Sequence, residues 1–162
     1  MIILGVDPGS LRTGYGIIET DGRHHALLAK GAITPSPRAP LPARLRAVYR
    51  GVVTLIESHR PDLLAVEDCF HAVNTRTALV LGHVRGVVLL AGAEAGIPIH
   101  EFPPATVKAQ ITGFGRAEKQ QVALMVSRLL NLPTDLEPGD AADALAVALC
   151  LSHLSTSPGW PA

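Results

Sequence analysis

Two short apolar runs that each end on acid do most to constrain this chain: IILGVD at residues 2–7 and LLAVED at residues 63–68. Short apolar runs bounded by turn signals read as buried strands. Pro8-Gly9 closes the first run, inside the stretch GVDPGSLRTGYG. Glycines beside a lone Asp7 there suit a phosphate cradle, a tight hairpin or a point where a metal is held. In context Gly9 and Gly14 are read as letting the chain reverse into a second strand.

The rest of the chain supplies the partners such strands need. TGYGIIET and HHALLAKGAIT read as two more strands joined at Asp21-Gly22, a strong hairpin signal. The first three strands therefore form an antiparallel meander. After the Pro-rich loop PSPRAPLP, Leu41, Leu45, Val48, Val52, Leu55 and Ile56 recur at helical spacing, with arginines on the other face. Asn74-Thr75 caps a long helix, 75–96, that is apolar on more than one side. IPIHEF is a short strand halted by Pro103-Pro104. ATVKAQIT, AEKQQVALMVSRLLN and DAADALAVALCLSHL are helices. The order β-β-β-α-β-α-β-α-α-α predicts an α/β fold, with parallel strands added to the meander and helices packed on the sheet.

Composition excludes several classes. With 48% hydrophobic and 17% charged residues the chain is not disordered. The apolar stretch 77–96 carries His83 and Arg85 in its middle, which speaks against a bilayer span and for a buried helix. Its doubly apolar surface predicts a self-association interface, with Leu81 and Val88 as positions where a polar residue should give a monomer. MIILGVD lacks a signal-peptide pattern, and Cys69 and Cys150 read as reduced, buried thiols. A soluble, cytoplasmic protein is expected. Fourteen basic and 14 acidic residues cancel, yet Arg38, Arg44, Arg46, Arg50 and Arg60 are opposed only by Glu57 in that segment. Net neutrality therefore leaves room for a local basic field.

Four acids carry the chemical argument. Asp7 and Glu67 end strands whose carboxyl ends would gather at one sheet edge, where α/β sites form. Asp140 and Asp143, three apart, share one face at the start of the last helix. Oxygen ligands without His or Cys suit Mg²⁺ or Mn²⁺. Each acid also has a plainer reading: Asp7 satisfying turn amides, Glu67 solvated beside Asp68, and Asp140 with Asp143 as an N-cap pair. From the residues alone both readings stand.

Four segments in register resemble the RuvC family of Holliday-junction resolvases: GVDPGSLRTGYGII, LLAVEDCFHAVNTRTALVLGHVRGVVL, PATVKAQITGFGRAEKQQVALMV and DAADALAVAL. The resemblance implies a ribonuclease-H-like mixed sheet flanked by helices, with residues 1–155 as one nuclease domain and 156–162 as a tail. It implies a homodimeric, metal-dependent endonuclease that nicks two opposed strands of four-way junction DNA. Asp7, Glu67, Asp140 and Asp143 fall on the family's metal-binding acids, with two Mg²⁺ (or Mn²⁺) expected per site. Lys108 and Lys119 map to its lysines near the scissile phosphate, and Phe70 to an aromatic that contacts the junction core. Arg12, Arg76 and Arg116 are further candidates for DNA contact, and the branch-migration proteins RuvA and RuvB are candidate partners. The first hairpin also resembles that of actin- and sugar-kinase-like ATPases, but 162 residues leave no room for their second lobe. A junction-binding module without catalysis and a related nuclease for RNA precursors are the remaining alternatives.

Overall fold

The computed structural model describes residues 1–68 and 74–156. Its elements follow the expected order: β1 (Ile2–Asp7), β2 (Thr13–Thr20), β3 (His25–Ile33), α1 (Leu41–His59), β4 (Leu63–Glu67), α2 (Thr75–Glu94), β5 (Ile99–Phe102), α3 (Pro104–Thr112), α4 (Lys119–Leu129) and α5 (Asp140–Ser155). They build one five-stranded sheet in the order β3-β2-β1-β4-β5. β1 pairs antiparallel with β2 and β2 with β3, while β4 and β5 add in parallel. The three parallel strands thus bring their carboxyl ends to one edge.

Alternation along the strands decides what each face holds. Leu4, Val6, Leu64 and Val66 pack with Val48 and Val52 of α1 and Val84 and Val88 of α2. Ile3 and Ala65 point the other way, into the core made with α3, α4 and α5. A period of two then assigns Asp7 and Glu67 to the α5 face. Full burial of side chains such as Leu64 or Val66 contributes about 1.5–3 kcal/mol each. The register of the edge is held by that packing.

α5 is the central helix, buried over Ala144–Ser152 between the sheet and α3/α4. Its close approach depends on glycine. A Cβ at Gly5 would stand 2.1 Å from the Ala144 carbonyl oxygen, and one at Gly14 would stand 2.1 Å from the Asp140 carbonyl oxygen. Gly14 therefore differs from its expected role in the reversal. It lies inside β2, opposite Asp7, and seats the first turn of α5. Gly9 keeps the turn role, because a Cβ there would meet the Arg12 carbonyl oxygen at 2.0 Å.

Local signals explain most helix boundaries. Asn74 caps α2 by accepting from the Thr77 amide at 2.9 Å. Glu118 and Gln121 form a reciprocal capping box on α4. Gly113, at φ 78°, ends α3 in the left-handed region. The α2 surface departs from the expected buried helix. Only Val84, Val88, Ala91 and Gly92 are buried, and Leu79 and Leu90 are 61% and 49% exposed. By length and composition α2 could cross a membrane, but Arg85 at its middle pairs with Asp68 and Glu101 of the sheet region. Val88, expected at the subunit interface, is wholly buried against the sheet instead. Cys150 is a buried free thiol pushed up to about 12 by burial, whereas Cys69 lies outside the described residues.

Candidate active site

The carboxyl edge places three of the four acids around one cleft. Val6 pairs with Val66 in the parallel ladder, so Asp7 and Glu67 leave the sheet side by side. Asp143, one turn into α5, closes the group from above. A cleft of about 260 Å³ is lined by Asp7, Glu67, Lys108, Lys119 and Asp143, with Pro104, Val107, Val122 and Ala146 as its apolar walls.

Charge in this cleft is held in two ways. Burial raises the Asp7 carboxyl to about 6, with the Asp143 charge adding to the rise and the Glu67 hydrogen bond opposing it. Burial likewise raises Glu67 to about 8, helped by the charge of Asp7 and the hydrogen bond to it. The pair therefore favours holding one proton between Glu67 and Asp7, since two carboxylates this close cannot both ionise cheaply. Asp143 instead accepts from the Lys119 ammonium at 2.6 Å. That hydrogen bond is also the main reason the Lys119 pKa is raised.

Asp140 is placed apart. Its carboxylate pairs with Arg12 Nε at 2.8 Å and lines a neighbouring cleft of about 550 Å³ with Lys30, Asp135 and Glu137. It still adds to the field on Asp7, as the smallest of the causes that shift that group. The N-cap reading of the Asp140/Asp143 pair does not hold. Gly139 is the N-cap, and both side chains face cations.

Among the described residues no three His, Cys, Asp or Glu side chains form a ready-made metal cage. The donor set nevertheless fits a hard divalent cation. All the donors are carboxylate oxygens, and mutual repulsion is already relieved by one shared proton and one lysine, both displaceable. Lys108 lines the same cleft and makes no ion pair among the described residues, so its ammonium is available to an anion. Arg12, Arg76 and Arg116 are exposed, in the β1–β2 turn, the first turn of α2 and the α3–α4 connection. Phe70 lies outside the described residues.

Comparison with known proteins identifies the family. The family model described as "Crossover junction endodeoxyribonuclease RuvC" matches residues 3–151. The chain belongs to the RuvC family. A RuvC of Desulforamulus reducens is 47% identical over 159 residues, covering 98% of each chain. One from Pelotomaculum thermopropionicum is 50% identical over 153 residues, covering 94% of this chain and 93% of the relative. Among solved structures, Thermus thermophilus RuvC in complex with a Holliday junction substrate superposes with a TM-score of 0.90 at 34% identity, covering 96% and 94% of the two chains. The ribonuclease-H-like architecture expected from the sequence is thus the RuvC fold.

Arg85 has no part in that sequence reading beyond excluding a bilayer span. Its signal was present: a lone cation inside an apolar helix needs a partner. What the sequence could not show is that the partners are Asp68 and Glu101.

Proposed function

We propose that this RuvC-family chain resolves four-way DNA junctions by metal-dependent hydrolysis of phosphodiester bonds in two opposed strands. The observation that carries this reading is the gathering of Asp7, Glu67, Asp143, Lys108 and Lys119 in one cleft at the carboxyl edge of the sheet. A Thermus relative of the same fold forms a complex with a Holliday junction substrate. Hydrolysis replaces the P–O3′ bond by a bond from phosphorus to a water oxygen, leaving 5′-phosphate and 3′-hydroxyl ends.

Asp7, on the central strand, Glu67 and Asp143 would hold two Mg²⁺ (or Mn²⁺) ions, and Asp140 in the adjacent cleft would complete the acidic set. When bound, such ions supply Lewis-acid charge to the phosphate and lower the pKa of attacking water. The chain's own residues do the rest. To receive a cation, Glu67 and Asp7 would give up their shared proton and Asp143 would release Lys119. Lys108 and Lys119 then place two ammonium groups where negative charge grows on the scissile phosphate. Phe70 would contact the junction core, with Arg12, Arg76 and Arg116 on flanking phosphates.

Symmetric cutting calls for two sites, and we place the subunit interface on α2. Leu79, His83, Gly86 and Leu90 fall on one stripe at helical spacing. Leu79 and Leu90 are exposed, and a side chain at Gly82 or Gly86 would meet nothing within 4 Å. A flat stripe of this kind, with leucines at both ends, suits close two-fold helix packing. We read residues 1–155 as one nuclease domain acting in the cytoplasm, with RuvA and RuvB as candidate partners. The test is incubation with synthetic four-way, three-way and linear DNA, with and without Mg²⁺ or Mn²⁺. Metal-dependent cutting confined to the four-way substrate supports the reading, and equal cutting of all three rejects it.

A further inference from the structure

A second charged cluster lies directly behind Glu67, on the opposite face of the sheet. Arg85, at the middle of α2, bonds Glu101 of β5 through its guanidinium, and its Nε stands 3.6 Å from Asp68 Oδ1. Arg85 and Asp68 are half-buried, at 29% and 20% exposure, while Glu101 is open to solvent on one side at 37%. Arg85 Nε is buried and makes no hydrogen bond among the described residues. The guanidinium lies between the two carboxylates.

The sheet register explains why this position matters. Val66 pairs with Glu101 and Glu67 with Phe102, and the Asp68 amide donates to the Phe102 carbonyl at 2.9 Å. Alternation sends Asp68 and Glu101 to the α2 face and Glu67 to the α5 face. The Arg85 cluster thus ties together the last residues of β4 and β5, immediately around the residue that reaches into the cleft. A helix needing only to cover the sheet would do so with an apolar side chain at no desolvation cost.

We propose that Arg85 is a positioning residue for Glu67. It clamps the exit of β4 through Asp68 and Glu101, and so holds the Glu67 carboxylate in the orientation that metal binding requires. Because Arg85 stands on α2, the clamp also joins the site to the helix placed at the subunit interface. The inference rests on Glu67 being a metal ligand, as proposed above. Without the cation, Asp68 and Glu101 would face each other as like charges across the ends of two paired strands, and Glu67 would turn with them.

The test compares Arg85→Met, Arg85→Lys, Glu101→Gln and the double variant Arg85→Met/Glu101→Gln. The first readout needs no DNA: the Mg²⁺ concentration at the midpoint of a calorimetric titration of the metal-free chain. Loss of an outer partner to a metal ligand costs about 10–100-fold in metal affinity or activity. Arg85→Met should raise that concentration about tenfold and slow single-turnover junction cleavage to a similar degree, while junction affinity in Ca²⁺ changes by less than about threefold. Arg85→Lys should recover part of the loss. The double variant should be no worse than Arg85→Met, since its remaining acid has no like-charged neighbour. A wild-type Mg²⁺ midpoint in both Arg85→Met and Glu101→Gln overturns the proposal, and so does conversion of Arg85→Met to a monomer. If Arg85→Met does not fold, Glu101→Gln decides by the same Mg²⁺ midpoint. Failure of the wild-type chain to cut junctions would instead sink the functional reading, leaving the DNA-free Mg²⁺ measurement to report on the clamp.

Discussion

Gly14 stands opposite Asp7 in the β1–β2 ladder, and the space its side chain would fill is occupied by the Asp140 carbonyl oxygen, 2.1 Å from an ideal Cβ. That contact sets how closely the start of α5 approaches the end of β1. It therefore sets how near Asp143 lies to Asp7.

Gly14→Ala should accordingly damage the site and the fold together. The obstacle is backbone rather than the tip of a flexible side chain, so α5 must move. Overpacking of this kind costs about 1–3 kcal/mol. Chemical denaturation should register that loss, and Mg²⁺-supported cleavage should fall with it. Wild-type stability and activity in Gly14→Ala would refute the seating role.

The metal-free chain should lose stability as pH rises from about 5 to about 9. Glu67 and Asp7 have folded pKa values near 8 and 6, above their ordinary values. The folded state therefore holds protons that the unfolded state has already released, and the slope of unfolding free energy with pH is negative. The loss begins above the ordinary carboxylate range and levels off above the folded pKa of Glu67. Glu67→Gln, which keeps a donor for Asp7 without a titrating proton, should flatten this profile in thermal melts at pH 5, 7 and 9. An equally steep profile in the variant would contradict the shared-proton assignment.

Lys119 should show opposite effects on metal binding and on rate. In the metal-free chain its ammonium occupies Asp143 at 2.6 Å. Lys119→Met frees that carboxylate, and because the lysine is largely exposed the gain in Mg²⁺ affinity is limited to about fivefold. Cleavage should nevertheless fall at least about tenfold, since charge at the phosphate is lost. Calorimetric Mg²⁺ titration and single-turnover kinetics separate the two, and weaker Mg²⁺ binding in the variant would argue against the competition.

The α2 stripe predicts which substitutions separate the subunits. Leu79→Asp and Leu90→Asp place a charge on the exposed face and should yield folded monomers in sedimentation equilibrium. Val88→Asp buries a charge against the sheet and should unfold the chain. Dimers persisting in the Leu79→Asp/Leu90→Asp double variant would place the interface elsewhere.

The element order and the pairing of Asp7 with Glu67 were legible because buried strands ending on acids leave few alternatives in a sheet of this kind. Asp143 was legible as a helix position, but its partner Lys119 comes from α4 and is set by tertiary packing. Asp140 shares a helix face with Asp143 in principle; the structure gives it to Arg12, an exposed contact that no spacing rule anticipates. Gly14 resembles a turn residue in sequence because β2 begins only one residue earlier, at Thr13. Val88 and Leu79 look equally apolar on paper. Only the direction in which α2 rests on the sheet makes one of them core and the other surface.

The account is tested most directly by mapping the cuts made in one synthetic four-way junction by the wild-type chain and by Asp7→Asn. The prediction is paired nicks at symmetric positions in two opposed strands with Mg²⁺, each leaving a 5′-phosphate. Asp7→Asn should cut more than about 100-fold more slowly, beyond the loss expected for an outer partner of a metal site. Nicks scattered over all four strands, or wild-type rates in Asp7→Asn at saturating Mg²⁺, would contradict it.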